Sequence, residues 1–358
     1  MIHTRVCDLL GCKYPVVQTG MGWVSGARLT SATSAAGGFG ILAAATMTFP
    51  ELEAAIAEVK SRTDAPFGVN LRADQADAGA RIALVVREGV RLTSFAGAPR
   101  RDLIDQCREA GVLTMPTIGA ERHAVKMQGW GVDAVIAQGH EGGGHTGPIP
   151  TSILLPSVTA AVDIPVLGAG GFKDGRGLAA ALAYGADGIA MGTRFLLTRE
   201  STVPDATKAR YLEAGPRDTV VTKAIDGHPQ RVIRTAVIDA LEKASALTRF
   251  PKAAANALKF RSLTGTPLGE LLREGLAMRK TQELTWSQLA MAANAPMLTK
   301  ASMVDGRPEV GILPTGQIAG NIDALPSVAE MLEELMAEAE VALARLDGLR
   351  RVTQEVAA

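Results

Sequence analysis

The feature that most constrains this chain is a recurrence of short runs rich in Val, Ile and Ala, most of them followed by a stretch of helical periodicity. The runs are Pro15 to Gln18, Phe39 to Leu42, Phe67 to Asn70, Arg91 to Ser94, Val112 to Pro116, Ala134 to Gln138, Pro165 to Gly168 and Gly188 to Met191. Alternation of this kind is how βα units with a parallel sheet read in sequence. The first clear helix shows the local logic. Thr48 and Glu51 have capping-box spacing, Pro50 suits an early helical position, and Leu52, Ala55, Ile56 and Val59 fall on one face. A second helix repeats it with Leu103, Ile104, Cys107 and Ala110, and Gly111 stands where a left-handed cap precedes the next strand.

Run starts recur roughly every 21 to 32 residues, which fits a closed barrel better than an open doubly wound sheet. The expected fold is therefore α/β, a (β/α)8 TIM barrel over residues 1–197. Ligand-binding residues should stand at the C-terminal ends of its strands, where Gly, Asn, Gln and Ser collect. After Phe195 the pattern changes. Thr219 to Thr222 and Arg231 to Thr235 flank Asp226-Gly227-His228-Pro229 and read as a β-hairpin, and about Ala240 to Ala295 reads as helical. Residues 198–315 are expected to form a small, mostly helical extension after strand 8, and residues 316–358 a return to the barrel with a final amphipathic helix. Leu332, Leu335, Met336, Ala339, Leu343 and Leu346 line one side of that helix. Such a stripe is compatible with a homodimer, core packing being the simpler account.

Two segments carry chemistry. Gln138 to Gly147 reads QGHEGGGHTG directly after an apolar run. Glycines there let backbone approach a planar ligand closely, and His145 supplies an imidazole, the side chain most often used as a general acid or base. The alternative is that the glycines make a tight turn with His145 capping a carbonyl; His140 reads as structural. The second segment places Gly168-Ala169-Gly170-Gly171 and Met191-Gly192-Thr193 at the ends of the last two runs. Barrel enzymes build phosphate sites from those two loops, helped by a helix N-terminus. Glycines serving only tight turns would explain one such loop more easily than two. A dinucleotide-binding GxGxxG would have to open the first helix, and Ala36-Gly37-Gly38-Phe39-Gly40 precedes a strand instead. A sugar-phosphate isomerase or synthase barrel would share the phosphate loops without needing the glycine-rich histidine loop.

Composition excludes several function classes. Lys plus Arg and Asp plus Glu both number 37, so no basic field for nucleic acid exists. No apolar window is long enough to span a membrane, and residues 1–12 lack a secretory apolar run, so a cytoplasmic protein is expected. Cys7, Cys12 and Cys107 lack disulfide or metal spacing and read as packing residues; no metal is expected.

In their order and spacing, PVVQTGMG (Pro15 to Gly22), SAAGGFGIL (Ser34 to Leu42), GVNL (Gly68 to Leu71), EGGGHTG (Glu141 to Gly147), GAGG (Gly168 to Gly171), MGTRF (Met191 to Phe195) and GQIAG (Gly316 to Gly320) resemble the nitronate monooxygenase, or 2-nitropropane dioxygenase-like, family of FMN barrels. The resemblance spans nearly the whole chain. It implies that Thr19, Gly20, Met21 and Gly22 lie against the flavin, that Asn70 and Gln138 hydrogen-bond it, and that Gly143 and Gly144 let the loop pass close. It further implies that Gly170, Gly171, Gly192 and Thr193 hold the FMN phosphate, that Gln317 closes one side of the pocket and that His145 is the active-site histidine. A narrower resemblance, carried by QTGMGWVSGARL, REGVR, GTRFLLTRESTVPDATKARYLEAG, LTWSQ and MAANAPML, points to a branch assigned to steroid C/D-ring breakdown. Its members move hydrogen at a ring carbon–carbon bond of a bicyclic acyl-CoA with FMN and a nicotinamide nucleotide, NAD(P)(H). Thr19-Gly20-Met21-Gly22-Trp23 departs from the usual APM-type start of nitronate-oxidising members, so the flavin's front face is lined differently.

CoA carries a 3′-phosphate and a pyrophosphate and needs cations at the pocket mouth. Arg72, Lys252, Arg261 and Arg279 are candidates, with Lys259, Arg273 and Lys300 nearby in sequence; a solvated helical face would account for the later ones equally well. Trp23, with Trp286, is a candidate wall for an apolar ring, although core packing is the commoner use of a Trp.

Overall fold

The structure is a computed structural model and describes residues 2–243 and 295–356. Eight parallel strands form a barrel: β1 (Val16–Gln18), β2 (Phe39–Ala43), β3 (Gly68–Arg72), β4 (Leu92–Ala96), β5 in two pieces (Leu113–Thr114 and Thr117–Ile118), β6 (Val135–Gln138), β7 (Val166–Ala169) and β8 (Gly188–Met191). Each pairs with its sequence neighbours, and β1 also pairs with β8.

Closure depends on β5. Its first piece pairs with β4 and its second with β6. Only Met115 and Pro116 separate the pieces. The Met115 amide still donates to Thr93 O at 3.0 Å, and Pro116 O accepts from the Ile136 amide at 3.0 Å. A proline cannot donate to a ladder, so the strand breaks there into two registers while the ring of strands stays covalently continuous.

The apolar runs are continuous because both faces of each strand are covered. The barrel interior is filled by Val17, Phe39, Ile41, Leu92, Met115, Ile136, Leu167 and Ala190, and its base by Val6 and Leu10 of the first helix (Arg5–Leu10). Outside, helices Ala27–Ala35, Phe49–Arg62, Ala78–Arg87, Arg101–Glu109, Glu121–Gly129, Thr151–Ala161 and Gly175–Ala183 follow β1 to β7 in turn. The Thr48–Glu51 capping box is formed, and Leu52, Ile56 and Val59 are fully buried. Leu103, Ile104 and Cys107 are buried as well, whereas Ala110 is exposed because the helix ends at Glu109; Gly111 then takes φ +72°.

The eighth outer position is filled by the final helix (Val328–Val356), which packs on Gly175–Ala183 and Ala27–Ala35. Leu332, Leu335, Met336 and Ala339 are buried there, while Leu346 is exposed because the helix runs past the edge of the barrel. Between β8 and this helix come Thr193–Leu196, Asp205–Glu213, a hairpin (Thr219–Thr222 with Gln230–Ile233), Ala236–Lys243 and Ala295–Met303. The hairpin's second strand starts one residue earlier and ends two residues earlier than its apolar pattern indicates. A small apolar cluster of Ile225, Val232, Ile238 and Ile312 holds it. Among the described residues no helix is long and apolar enough to cross a membrane, and no His, Cys, Asp and Glu cluster could hold a metal. Cys7 and Cys107 are buried, and all three cysteines are free thiols.

Candidate active site

Most of the residues singled out at strand ends meet in one ring at the C-terminal face. A Cβ on Gly20 would lie 2.4 Å from Asn70 Cβ, so the backbone after β1 lies directly on the end of β3. Asn70 Nδ2 donates to Ser94 Oγ on β4 at 2.7 Å. On the other side, a Cβ on Gly192 would meet Met21 Sδ at 3.2 Å and Thr19 Oγ1 at 3.4 Å, joining β8 to β1. Thr193 Oγ1 accepts from the Gly316 amide at 2.9 Å, and a Cβ on Gly143 would stand 2.5 Å from Gly316 N. The returning segment therefore seals against the glycine-rich loop backbone to backbone, which requires glycine at position 143. The Gln317 amide donates to Glu141 O at 2.9 Å, and Glu141 Oε2 accepts from the Thr151 amide and hydroxyl at 2.9 and 2.8 Å.

Gly170 and Gly171 take φ +96° and +84°, backbone that side chains rarely adopt. The backbone N–H groups of Gly170, Gly171, Gly192 and Thr193 find no acceptor among the described residues. Four free amides and a hydroxyl on adjacent loops form a donor set suited to a phosphate, so the residues present fit an FMN phosphate. Trp23 has φ +65°, the one positive φ among the described non-glycine residues, and its indole is half-buried in the loop after β1. Backbone strain in a bulky residue collects at ligand clamps.

Gln138 Nε2 donates to His145 O at 2.7 Å, tying the two ends of the glycine loop together. His140 is structural in the sense expected: its ring nitrogen Nδ1 bonds Gly147 O at 2.8 Å. His145 does not cap a carbonyl. Its Nε2 lies 2.8 Å from Asp226 Oδ2, and its side chain is 64% exposed, against 12% for Asp226. The juxtaposition comes from sheet pairing: Gly144–His145 forms a short third strand beside Gln230–Ile233, with His145 opposite Gln230 and Gly144 opposite Arg231. Gln230 donates its amide to the same Asp226 oxygen and stands 3.1 Å from His145 Nε2. The His228 ring meets His145 edge to face at 6.0 Å. Burial pushes the Asp226 carboxyl up, but the His145 bond and charge and the His228 amide and charge outweigh it and hold it below the usual carboxylate range.

Asp226 and Gln230 escape the sequence reading because an Asp before Gly in a hairpin is fully explained as turn chemistry. Arg231, buried under the loop, donates to His140 O at 3.1 Å and to Thr219 Oγ1 at 3.0 Å. Burial pushes its guanidinium below the ordinary value despite the opposing charge of Glu141. Arg72 is turned to its neighbour Asp74, Nε to Oδ1 at 3.0 Å. Lys252, Arg261 and Arg279 lie outside the described residues, as do Lys259, Arg273 and Trp286.

A closed parallel barrel whose binding loops and one held imidazole share the C-terminal mouth defines a barrel enzyme. The chain belongs to the nitronate monooxygenase family, whose profile matches residues 3–81 and 78–338, and it is accordingly an oxidoreductase. It is 58% identical over 341 residues, 94% of this chain and 96% of the relative, to a (3aS,4S,5R,7aS)-5-hydroxy-7a-methyl-1-oxo-octahydro-1H-indene-4-carboxyl-CoA dehydrogenase of Mycobacterium tuberculosis. A protein of the same name from Rhodococcus jostii is 54% identical over 348 residues, covering 97% of this chain and 98% of that one. Among solved structures, FabK from Thermotoga maritima superposes with a TM-score of 0.79 at 33% identity, over 98% of this chain and 100% of that one.

Proposed function

We propose that this protein is an FMN-dependent oxidoreductase that moves hydrogen at a ring carbon–carbon bond of a bicyclic, steroid-derived acyl-CoA, with NAD(P)(H) as diffusible co-substrate. The observation that carries the reading is the full-length likeness to two dehydrogenases of a methyl-oxo-indene carboxyl-CoA. Bound FMN supplies two-electron acceptor and donor chemistry.

The chain's own residues do the rest. Gly170, Gly171, Gly192 and Thr193 offer the phosphate donors, Thr19 to Gly22, Asn70, Gln138 and Gly143 shape the flavin's seat, and Gln317 closes one side. Forming a carbon–carbon double bond beside a thioester removes one proton and one hydride. The α-proton, acidified by the carbonyl, goes to His145, the exposed imidazole at the mouth. In the reverse direction the same nitrogen returns it. Trp23 offers an apolar wall to the fused rings. Lys252, Arg261 and Arg279 of the 198–315 segment, which lie outside the described residues, are the candidate cations for the CoA phosphates. CoA thioesters are cytoplasmic metabolites, and the protein works in that compartment.

Anaerobic absorbance of the purified yellow protein tests the reading, with NADH, a bicyclic acyl-CoA and propyl nitronate offered in turn. Bleaching by NADH or the acyl-CoA, with indifference to nitronate, is expected. A response to nitronate alone makes it a nitronate monooxygenase, and absence of flavin overturns both assignments. In the same assay His145→Ala is expected to retain FMN and lose turnover by about 10²-fold or more; full activity in that variant would remove the imidazole from the reaction.

A further inference from the structure

The hairpin delivers more than a fold closure, because the two oxygens of Asp226 have different work. Oδ1 accepts the His228 amide at 3.0 Å, the bond that shapes the turn. Oδ2 is left for the site, where it faces His145 Nε2 at 2.8 Å and the Gln230 amide. Gln230 Nε2 also stands 3.1 Å from His145 Nε2, but its hydrogen goes to Oδ2, and a carboxylate oxygen at 2.8 Å can only accept, so the neutral imidazole carries its hydrogen on Nε2. Its lone pair is then on Nδ1.

From this geometry we infer that Asp226 is a positioning residue: it fixes His145 as the Nε2–H tautomer and makes Nδ1 the atom that takes and returns the substrate proton. This deepens the proposed proton transfer at His145 and rests on it. Gln230 supports the arrangement by donating to the same oxygen, which leaves that oxygen no reason to rotate away. His228 closes the other side of the ring at 6.0 Å. The remaining charged groups around the loop are Glu141, committed to the Thr151 amide and hydroxyl, and Arg231, committed to His140 O and Thr219. Neither offers the imidazole an alternative acceptor. As the substrate Cα–H bond breaks, its proton joins Nδ1, the electron pair left at Cα enters the new carbon–carbon double bond while the β-carbon gives up its hydride to the two-electron acceptor that bound FMN would supply, and the imidazolium so formed lies against the Asp226 carboxylate.

Asp226→Asn separates the positioning role from a structural one. Asparagine keeps the Oδ1 acceptor and is as good a residue for the turn, so the hairpin and bound FMN are retained. Its amide would however present a donor where Oδ2 stood, so the imidazole lone pair must turn to Nε2 and the hydrogen to Nδ1. Nitrogen-15 NMR of histidine-labelled protein reads this directly, with His145→Ala assigning the signal among the five histidines. The wild type is expected to show the Nε2–H tautomer and Asp226→Asn the Nδ1–H form, with kcat lowered about 10²-fold or more, KM little changed, and partial recovery in Asp226→Glu.

An Asp226→Asn protein that keeps the Nε2–H tautomer, or keeps full turnover, overturns the inference. The two readings fail differently. A wild type that ignores the acyl-CoA refutes the substrate, while the tautomer measurement, which needs no substrate, still decides Asp226. Should Asp226→Asn not fold, the wild-type spectrum alone still decides: a neutral His145 carrying its hydrogen on Nε2 is required, and a wild type carrying it on Nδ1 overturns the inference.

Discussion

At Gly20 a hydrogen atom is all that fits between the backbone after β1 and the Asn70 side chain. An alanine there must push Asn70 off Ser94, breaking a buried bond of 2.7 Å and tilting the loop that carries Met21 and Trp23. Overpacking of this kind costs about 1–3 kcal/mol. Gly20→Ala is therefore expected to lower the melting temperature by several degrees and reduce the flavin-to-protein absorbance ratio of the purified enzyme. Gly26→Ala is the control: its backbone is ordinary, with φ −82°, and the added methyl meets nothing within 4 Å. Equal melting temperatures for the two variants would remove the steric argument. The importance of this glycine is legible in the sequence only as a motif, since the reason for it, Asn70, is fifty positions away in the chain. Trp23 is less legible still, because nothing in its neighbours announces a left-handed backbone. Asp226 is hidden by having a sufficient local explanation.

Elements were far more legible than individual partners, because strand and helix periods are local. Each of the eight barrel strands overlaps its apolar run, although the second piece of β5, Thr117–Ile118, falls just beyond the run Val112 to Pro116, and the Thr48–Glu51 box forms as its spacing indicates. What the periods do not carry is pairing across distance. The short strand at Gly144–His145 exists only because Gln230–Ile233 comes to lie beside it, 85 positions later for the His145–Gln230 pair. The final helix shows both sides. Its apolar stripe is local, but its place as the eighth barrel helix depends on a start fixed by Ser327 and Glu330. The Ser327 amide donates to Glu330 Oε2 at 2.8 Å, and the Glu330 amide donates to Ser327 Oγ at 3.2 Å. With Arg199 also bonded to it, the Glu330 carboxyl is brought down to about 2, chiefly by the Ser327 amide. A carboxyl depressed on folding stabilises the native state above its unfolded value near 4.5, and that contribution disappears as pH falls towards about 2. Glu330→Gln is thus expected to lower the melting temperature at pH 7, with the gap to wild type narrowing below pH 4. Ser327→Ala should cost about 1 kcal/mol at neutral pH. A gap that stays constant from pH 7 to pH 3 would show that charge has no part in this cap.

On the scale of the whole molecule, the barrel and the extension contribute unlike things to one mouth. The barrel brings rigid strand ends and free backbone amides, a donor set for one phosphate and too small for a substrate with several. The extension brings the carboxylate that holds His145, and in its sequence a run of cations at Lys252, Arg261 and Arg279, outside the described residues. With an acyl-CoA as substrate, these two contributions separate kinetically. The bicyclic acyl group reacts at the mouth whether or not a nucleotide is attached, whereas the 3′-phosphate and pyrophosphate engage only cations. Neutralising Lys252, Arg261 and Arg279 together should raise the apparent KM for the acyl-CoA about tenfold or more, as expected for the loss of one or more charge-assisted bonds. The same variant should leave kcat and the KM for the corresponding acyl-pantetheine, which has no phosphate, within about twofold of wild type. Raising ionic strength should erode the wild-type preference for CoA over pantetheine and leave the variant unmoved, because exposed ion pairs are screened over a Debye length of about 8–10 Å at moderate salt. Equal KM changes for the two thioesters would mean that these cations act on the fold or on the acyl group, and the phosphate-binding role would then have to be sought at Arg72, Lys300 or elsewhere around the rim.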